Sequence, residues 1–214
     1  MLTSARAKGA GSRRLYRVVA KRLLDLLLVV SSAPIIVPLV LVLAGLVALD
    51  GGRPFYSQIR LGRGGRAFRM RKLRTMVPDA EARLAAHLAA DPAARAEWDR
   101  DQKLRDDPRV TRFGAVLRRT SLDELPQLWN VLMGDMSLVG PRPMMPCQRG
   151  LYPGRAYWRL RPGLTGPWQV SGRGETSFAA RADFDQAYDA ACSLAHDLRL
   201  IAATLGVVLR ATGR

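Results

Sequence analysis

Residues 23–49 form one apolar run of 27 residues whose sole charge is Asp25. A helix needs roughly 20 apolar residues to cross hydrocarbon, so this segment either spans a bilayer or dips into one. It exceeds the apolar core of a secretory signal, and no convincing small-residue cleavage site follows it. Pro34 and Pro38 sit near its middle behind Ser31 and Ser32. Each proline deletes a backbone N–H whose bond hydrocarbon cannot replace. Cations flank both ends: Arg6, Lys8, Arg13, Arg14, Arg17, Lys21 and Arg22 before, and Arg53, Arg60, Arg63 and Arg66 after. The positive-inside tendency keeps both flanks cytoplasmic. A re-entrant helix that breaks at Ser31, Ser32 and Pro34 satisfies both constraints; a kinked single span is the alternative these residues leave open.

The remaining length suits one domain, residues 50–214, behind a basic arm, residues 1–22, and the membrane segment 23–49. A formal charge of +16 calls for an anionic partner: nucleic acid, acidic lipid or a phosphorylated substrate. Two cysteines, Cys147 and Cys192, suggest a reducing compartment without a disulfide framework. His87 and His196 are too far apart in the chain for zinc-site spacing. Residues 55–76 read as a hairpin turning at Arg63-Gly64-Gly65, with Phe55, Ile59 and Leu61 on a core face and cations opposite. Lys72 is one of four lysines among 34 cations, a hint that a compact point charge is wanted there. Residues 77–107 change to alanine with mixed charge and read as a two-helix insertion broken at Pro92.

Chemistry concentrates in residues 120–143, TSLDELPQLWNVLMGDMSLVGPRP. Ser121 and Glu124 have capping-box spacing, which places Asp123 and Glu124 in the first turn of a helix. Pro126 conflicts with that: either the helix starts nearer Asp123 or its first turn is distorted. Gly134-Asp135 ends the helix, an extended run 136–139 follows, and Arg142 is fixed between Pro141 and Pro143. An arginine held this way suits bidentate grip on phosphate. A carboxylate pair and a rigid arginine suggest phosphate chemistry; two helix-start acids in solvent are the plain alternative.

This run resembles the signature of the bacterial sugar transferase family, the monotopic phosphoglycosyl transferases that act on polyprenyl phosphate. The resemblance continues upstream through FRMRKLRTM and downstream through RPGLTGPWQVSGRG, over most of the chain. It implies transfer of a sugar-1-phosphate from a UDP-sugar to polyprenyl (undecaprenyl) phosphate, with release of UMP. By the same resemblance Asp123 is the nucleophile and Glu124 a Mg²⁺ ligand. Lys72 and Arg74, in the family's KFRTM-like motif, border the phosphate site with Arg142. Gln169 and Arg173 lie on the nucleotide side. The resemblance also implies re-entry at a Ser-Pro break, although Ala33 here precedes Pro34, and a site on the cytoplasmic face of the bacterial inner membrane. The family's aromatic strip near residues 190–192 is replaced by Ala190, Ala191 and Cys192.

Downstream, 161–166 is turn-rich, 168–170 reads as a short strand, and 178–210 as mostly helical. The fold class expected is α+β, predominantly helical and monotopic. The partners expected are the two phosphorylated substrates and the membrane rather than nucleic acid, with a homodimer left open. Rival readings are a basic membrane adaptor without catalysis and a nucleotide-sugar phosphodiesterase that uses water as acceptor.

Overall fold

The computed structural model of the protein describes residues 15–101, 104–171 and 176–209. A π-helical turn, Tyr16–Ala20, leads directly into helix α1, Lys21–Leu49. The helix continues through Pro34 and Pro38, so Ser31, Ser32 and Pro34 do not interrupt the helical conformation as the sequence suggested. Ser31 and Ser32 instead donate to the carbonyls of Leu28 and Val29, at 3.2 and 3.1 Å. Such back-bonds bend helices rather than end them.

The buried side of α1 divides into two stretches. Val29 joins Phe68, Met70, Val131 and Met136, while Leu43, Ala44 and Val47 join Leu73 and Leu117. Polar contacts repeat this division. Arg22 donates to the carbonyls of Val131 and Leu132, and Asp25 accepts the Leu138 N–H. Near the other end, the Val47 carbonyl accepts from Arg74 at 2.9 Å. Both ends of the helix therefore rest on the same domain. Between and beside them, Leu27, Val30, Ile35, Val37 and Leu41 are exposed.

Strands β1, Phe55–Leu61, and β2, Ala67–Leu73, form the expected antiparallel hairpin, with Arg63–Gly65 at its turn. On β2, Phe68 and Met70 are buried and Arg69 and Arg71 exposed. On β1 only Leu61 is buried as expected; Phe55 and Ile59 are exposed and Gln58 and Arg60 half-buried. The register explains this, because Gln58 and Arg60 stand opposite Met70 and Phe68 and so share their inward face. Helices α2, Ala80–Ala90, and α3, Pro92–Asp101, make the two-helix insertion, with the Asp91 carboxylate capping α3 through the amides of Ala93 and Ala94.

Helix α4, Arg112–Thr120, is capped by Thr111 and ends at Ser121 in the left-handed region, φ 58°. A 3-10 turn, Leu122–Glu124, then precedes α5, Gln127–Met133. The capping box does not form: Ser121 ends one helix and makes no side-chain cap on the turn that follows. Pro126 lies at the N-cap of α5, so the distorted-turn alternative is the one adopted. Gly134, φ 87°, closes α5 in the left-handed conformation that glycine takes without penalty.

Strand β3, Ser137–Val139, precedes the short helix α6, Ala156–Arg159, and pairs in parallel with β4, Gly163–Thr165. A Cβ on Gly163 would lie 2.1 Å from the Gly140 nitrogen, and one on Gly140 2.3 Å from the Arg161 carbonyl oxygen. Only glycines let the segment before Arg142 pass this close to β4. The strand expected at 168–170 is a helix, α7, Pro167–Ser171. Pro167 is preset for a first helical position, and the extended pairing falls to residues read as turn. Helices α8, Arg181–Ala191, and α9, Leu194–Leu209, complete the chain. They hold the start of α1 through buried Asp197, which accepts the hydroxyls of Tyr16 and Tyr188, each at 2.6 Å, and the Lys21 ammonium. The fold is α+β, mostly helical, with two small two-stranded sheets among the described residues.

Candidate active site

The 3-10 turn after α4 packs against β2 and delivers Asp123 into the interior, where it is 6% exposed. Lys72, at the end of β2, points to the same place. Its ammonium lies 3.5 Å from Asp123 Oδ2 and 2.7 Å from Glu124 Oε1. Burial raises the Asp123 carboxyl above its ordinary range; Lys72 opposes the shift and Glu124 adds to it. Arg118, on α4, is oriented by a 2.8 Å bond from Nε to Thr75 Oγ1 and favours the ionised form of Asp123. Sequence reasoning passed over Arg118, although its place one turn before the carboxylates was a usable signal.

Arg74 does not join this group. Its guanidinium donates to the Val47 carbonyl at the end of α1, so its role here is to bind α1 to the hairpin. Arg142 lies in a second group. Its guanidinium is 5.8 Å from the Trp168 ring centre, and the Arg181 guanidinium is 4.1 Å from the same ring. Arg60 is held by the Pro143 carbonyl at 3.2 Å and by Gln58 Oε1 at 2.6 Å. Burial lowers the Arg60 pKa and Arg142 lowers it further; burial, Arg142 and Arg60 bring Arg181 down to about 10. Gln169, on α7, is half-buried beside Trp168. Arg173 lies outside the described residues. Arg60, Arg181 and Trp168 were not singled out from the sequence, because they are scattered over β1, α8 and α7 and only the fold gathers them.

Among the described residues no three His, Cys, Asp or Glu side chains gather as a metal site. Asp123 and Glu124 offer hard carboxylate oxygens, and the Lys72 ammonium lies 2.7 Å from Glu124. The donor set fits Mg²⁺, which commonly takes one or two protein carboxylates and fills its shell with water and substrate phosphate. Chemically, a buried carboxylate with a raised pKa beside a lysine and an arginine can serve as nucleophile towards an anionic group that those cations screen.

The bacterial sugar transferase family model matches residues 16–211. A UDP-galactose-lipid carrier transferase of Erwinia amylovora is 47% identical over 195 residues, 90% of this chain and 41% of that protein. The exopolysaccharide production protein ExoY of Sinorhizobium fredii is 44% identical over 91% of this chain and 88% of its own length. An undecaprenyl-phosphate galactose phosphotransferase of Salmonella typhimurium is 44% identical over 90% of this chain, again 41% of that protein. The chain thus spans about two fifths of two of these relatives and most of the third. It belongs to the bacterial sugar transferase family.

Proposed function

We propose that the protein transfers a sugar-1-phosphate from a UDP-sugar to undecaprenyl phosphate at the cytoplasmic face of the bacterial inner membrane. Buried Asp123 with half-buried Lys72 and Glu124 carries this reading. An Asp123 carboxylate oxygen attacks the phosphorus that bears the sugar. The phosphoanhydride bond breaks, UMP leaves with the bonding pair, and an aspartyl-phosphosugar remains. A phosphate oxygen of the lipid then attacks the same phosphorus, and the carboxylate is released unchanged. Lys72 and Arg118 screen the anionic substrate from the nucleophile, and Glu124 would hold Mg²⁺, which would supply charge neutralisation on the phosphates. Electrostatics and positioning dominate such transfers.

A re-entrant α1 places this site at headgroup depth. Support comes from its two buried stretches, 29 and 43–47, which both pack on one domain while Val30, Ile35, Val37 and Leu41 between them stay exposed. A straight span would carry one end across hydrocarbon, away from that domain. Both substrates are anions, in keeping with the charge of +16.

The experiment is UMP release from a panel of UDP-sugars by the full chain in detergent, with and without undecaprenyl phosphate. Sustained turnover that needs the lipid supports transfer; equal turnover without it replaces the reading with hydrolysis. Asp123→Asn removes the anionic nucleophile and is expected to lower the rate at least 10³-fold, an order-of-magnitude figure, with no phosphosugar adduct detectable by mass spectrometry. An adduct on any other residue overturns the assignment.

A further inference from the structure

We infer that Arg60 and Arg181, with Arg142 and Gln169, form a phosphate-binding cradle separate from the Asp123 cluster, and that this cradle holds a phosphate group of one of the two substrates. The inference rests on the transferase reading for the identity of the ligand, but not for the existence of the site. The guanidiniums of Arg142, in the loop after β3, and Arg181, at the start of α8, meet at the Trp168 ring, and Arg60, held on β1 by the Pro143 carbonyl beside Arg142, lies close enough for burial and these neighbours to lower the proton affinity of Arg60 and Arg181. Such convergence is costly in an empty protein and favourable once an anion sits among the cations. Among the described residues, Arg60 Nε, Arg181 Nε and both atoms of the Gln169 amide are buried without a hydrogen-bond partner. Buried polar groups are seldom left unpaired, and the three N–H donors among them, Arg60 Nε, Arg181 Nε and Gln169 Nε2, beside clustered positive charge mark a place for acceptor oxygens. Trp168 is the platform. Its indole N–H is fixed to Thr176 Oγ1 at 2.8 Å, and the Arg142 and Arg181 guanidiniums lie at its ring.

The hairpin register places the cradle relative to the catalytic group. Arg60 stands opposite Phe68, and Lys72 lies four residues further along β2 on the same face. That separates the two positions by roughly 13 Å along the strand, within reach of one extended phosphorylated substrate when long side chains converge from both ends. Two ligands share the chemistry required: the diphosphate of the nucleotide sugar and the phosphate of the lipid acceptor.

The test uses the full chain carrying Asp123→Asn, which halts turnover, in nanodiscs. Dissociation constants are measured for uridine diphosphate, for undecaprenyl phosphate in the nanodisc and for inorganic pyrophosphate. Arg181→Gln is expected to weaken at least one phosphate probe tenfold or more. Gln169→Leu, which removes two unpartnered atoms at similar size, is expected to weaken the same probe without lowering the melting temperature. The second variant decides the matter should Arg181→Gln unfold. Loss confined to uridine diphosphate assigns the cradle to the donor; loss confined to undecaprenyl phosphate assigns it to the acceptor. If the parent chain binds pyrophosphate through Arg181 but neither substrate, the cradle stands and the transferase reading falls. Affinities within twofold of the parent for all three probes in both variants overturn the cradle.

Discussion

Asp185, on the inner face of α8, accepts the Tyr152 hydroxyl at 2.8 Å and is 3% exposed. Burial raises its pKa to about 6, against the lowering effects of Tyr152 and Arg181. A carboxyl whose folded pKa is raised binds its proton more tightly when folded. Its contribution is therefore fully present below the unfolded value and is lost as pH rises through about 6. An amide at this position can still accept the Tyr152 hydroxyl and does not ionise. The melting temperature of Asp185→Asn, taken relative to the parent, is expected to move upward between pH 4 and pH 7, by the equivalent of about 1–3 kcal/mol. A difference that stays flat with pH would rule out this account. Single residues differed in how legible they were. Asp123, Glu124 and Lys72 stand in a recognisable run or are rare in type, and the fold brings them within hydrogen-bonding reach. Arg60 and Arg181 are two cations among 34, and nothing local separates them from surface arginines.

At the scale of elements, period and punctuation were reliable where no distant partner overrode them. The hairpin, the insertion helices and the C-terminal helices follow from alternation, Gly-Gly and Pro92. Two readings failed where tertiary pairing decided. Residues 163–165 became a strand because β3 needs a partner, and 168–170 became helix behind Pro167. The prolines of α1 are the element-level test. Pro34→Leu with Pro38→Leu restores two backbone bonds and removes the cause of bending from an apolar helix already long enough to cross. The double variant is expected to convert partly to a span and to lose activity, held back by the seven cations of the preceding arm. The measurement is labelling of Ser4→Cys by a membrane-impermeant reagent in intact cells, with Cys147 and Cys192 replaced by alanine. Labelling of the parent arm from outside would rule out the re-entrant arrangement.

Across the whole molecule, Asp197 joins the two ends of the described chain. It is fully buried and holds Tyr16, Lys21 and Tyr188 at once. Asp197→Ala leaves a buried ammonium and two hydroxyls without their acceptor, a loss of about 3–5 kcal/mol. The expected result is a large fall in melting temperature in detergent, and a fall no larger than that of exposed Asp183→Ala would discount the link. The packing of α1 bears also on how the protein is made. Tyr16, Val29 and Val47 each belong to a different apolar cluster, and outside the helix itself every partner they meet comes later in the chain. During translation α1 leaves the ribosome before any surface exists to cover it, and its last contacts wait for residues near 200. On the proposed reading the bilayer is the first solvent this helix meets, and the rest of the chain condenses upon a helix already seated there.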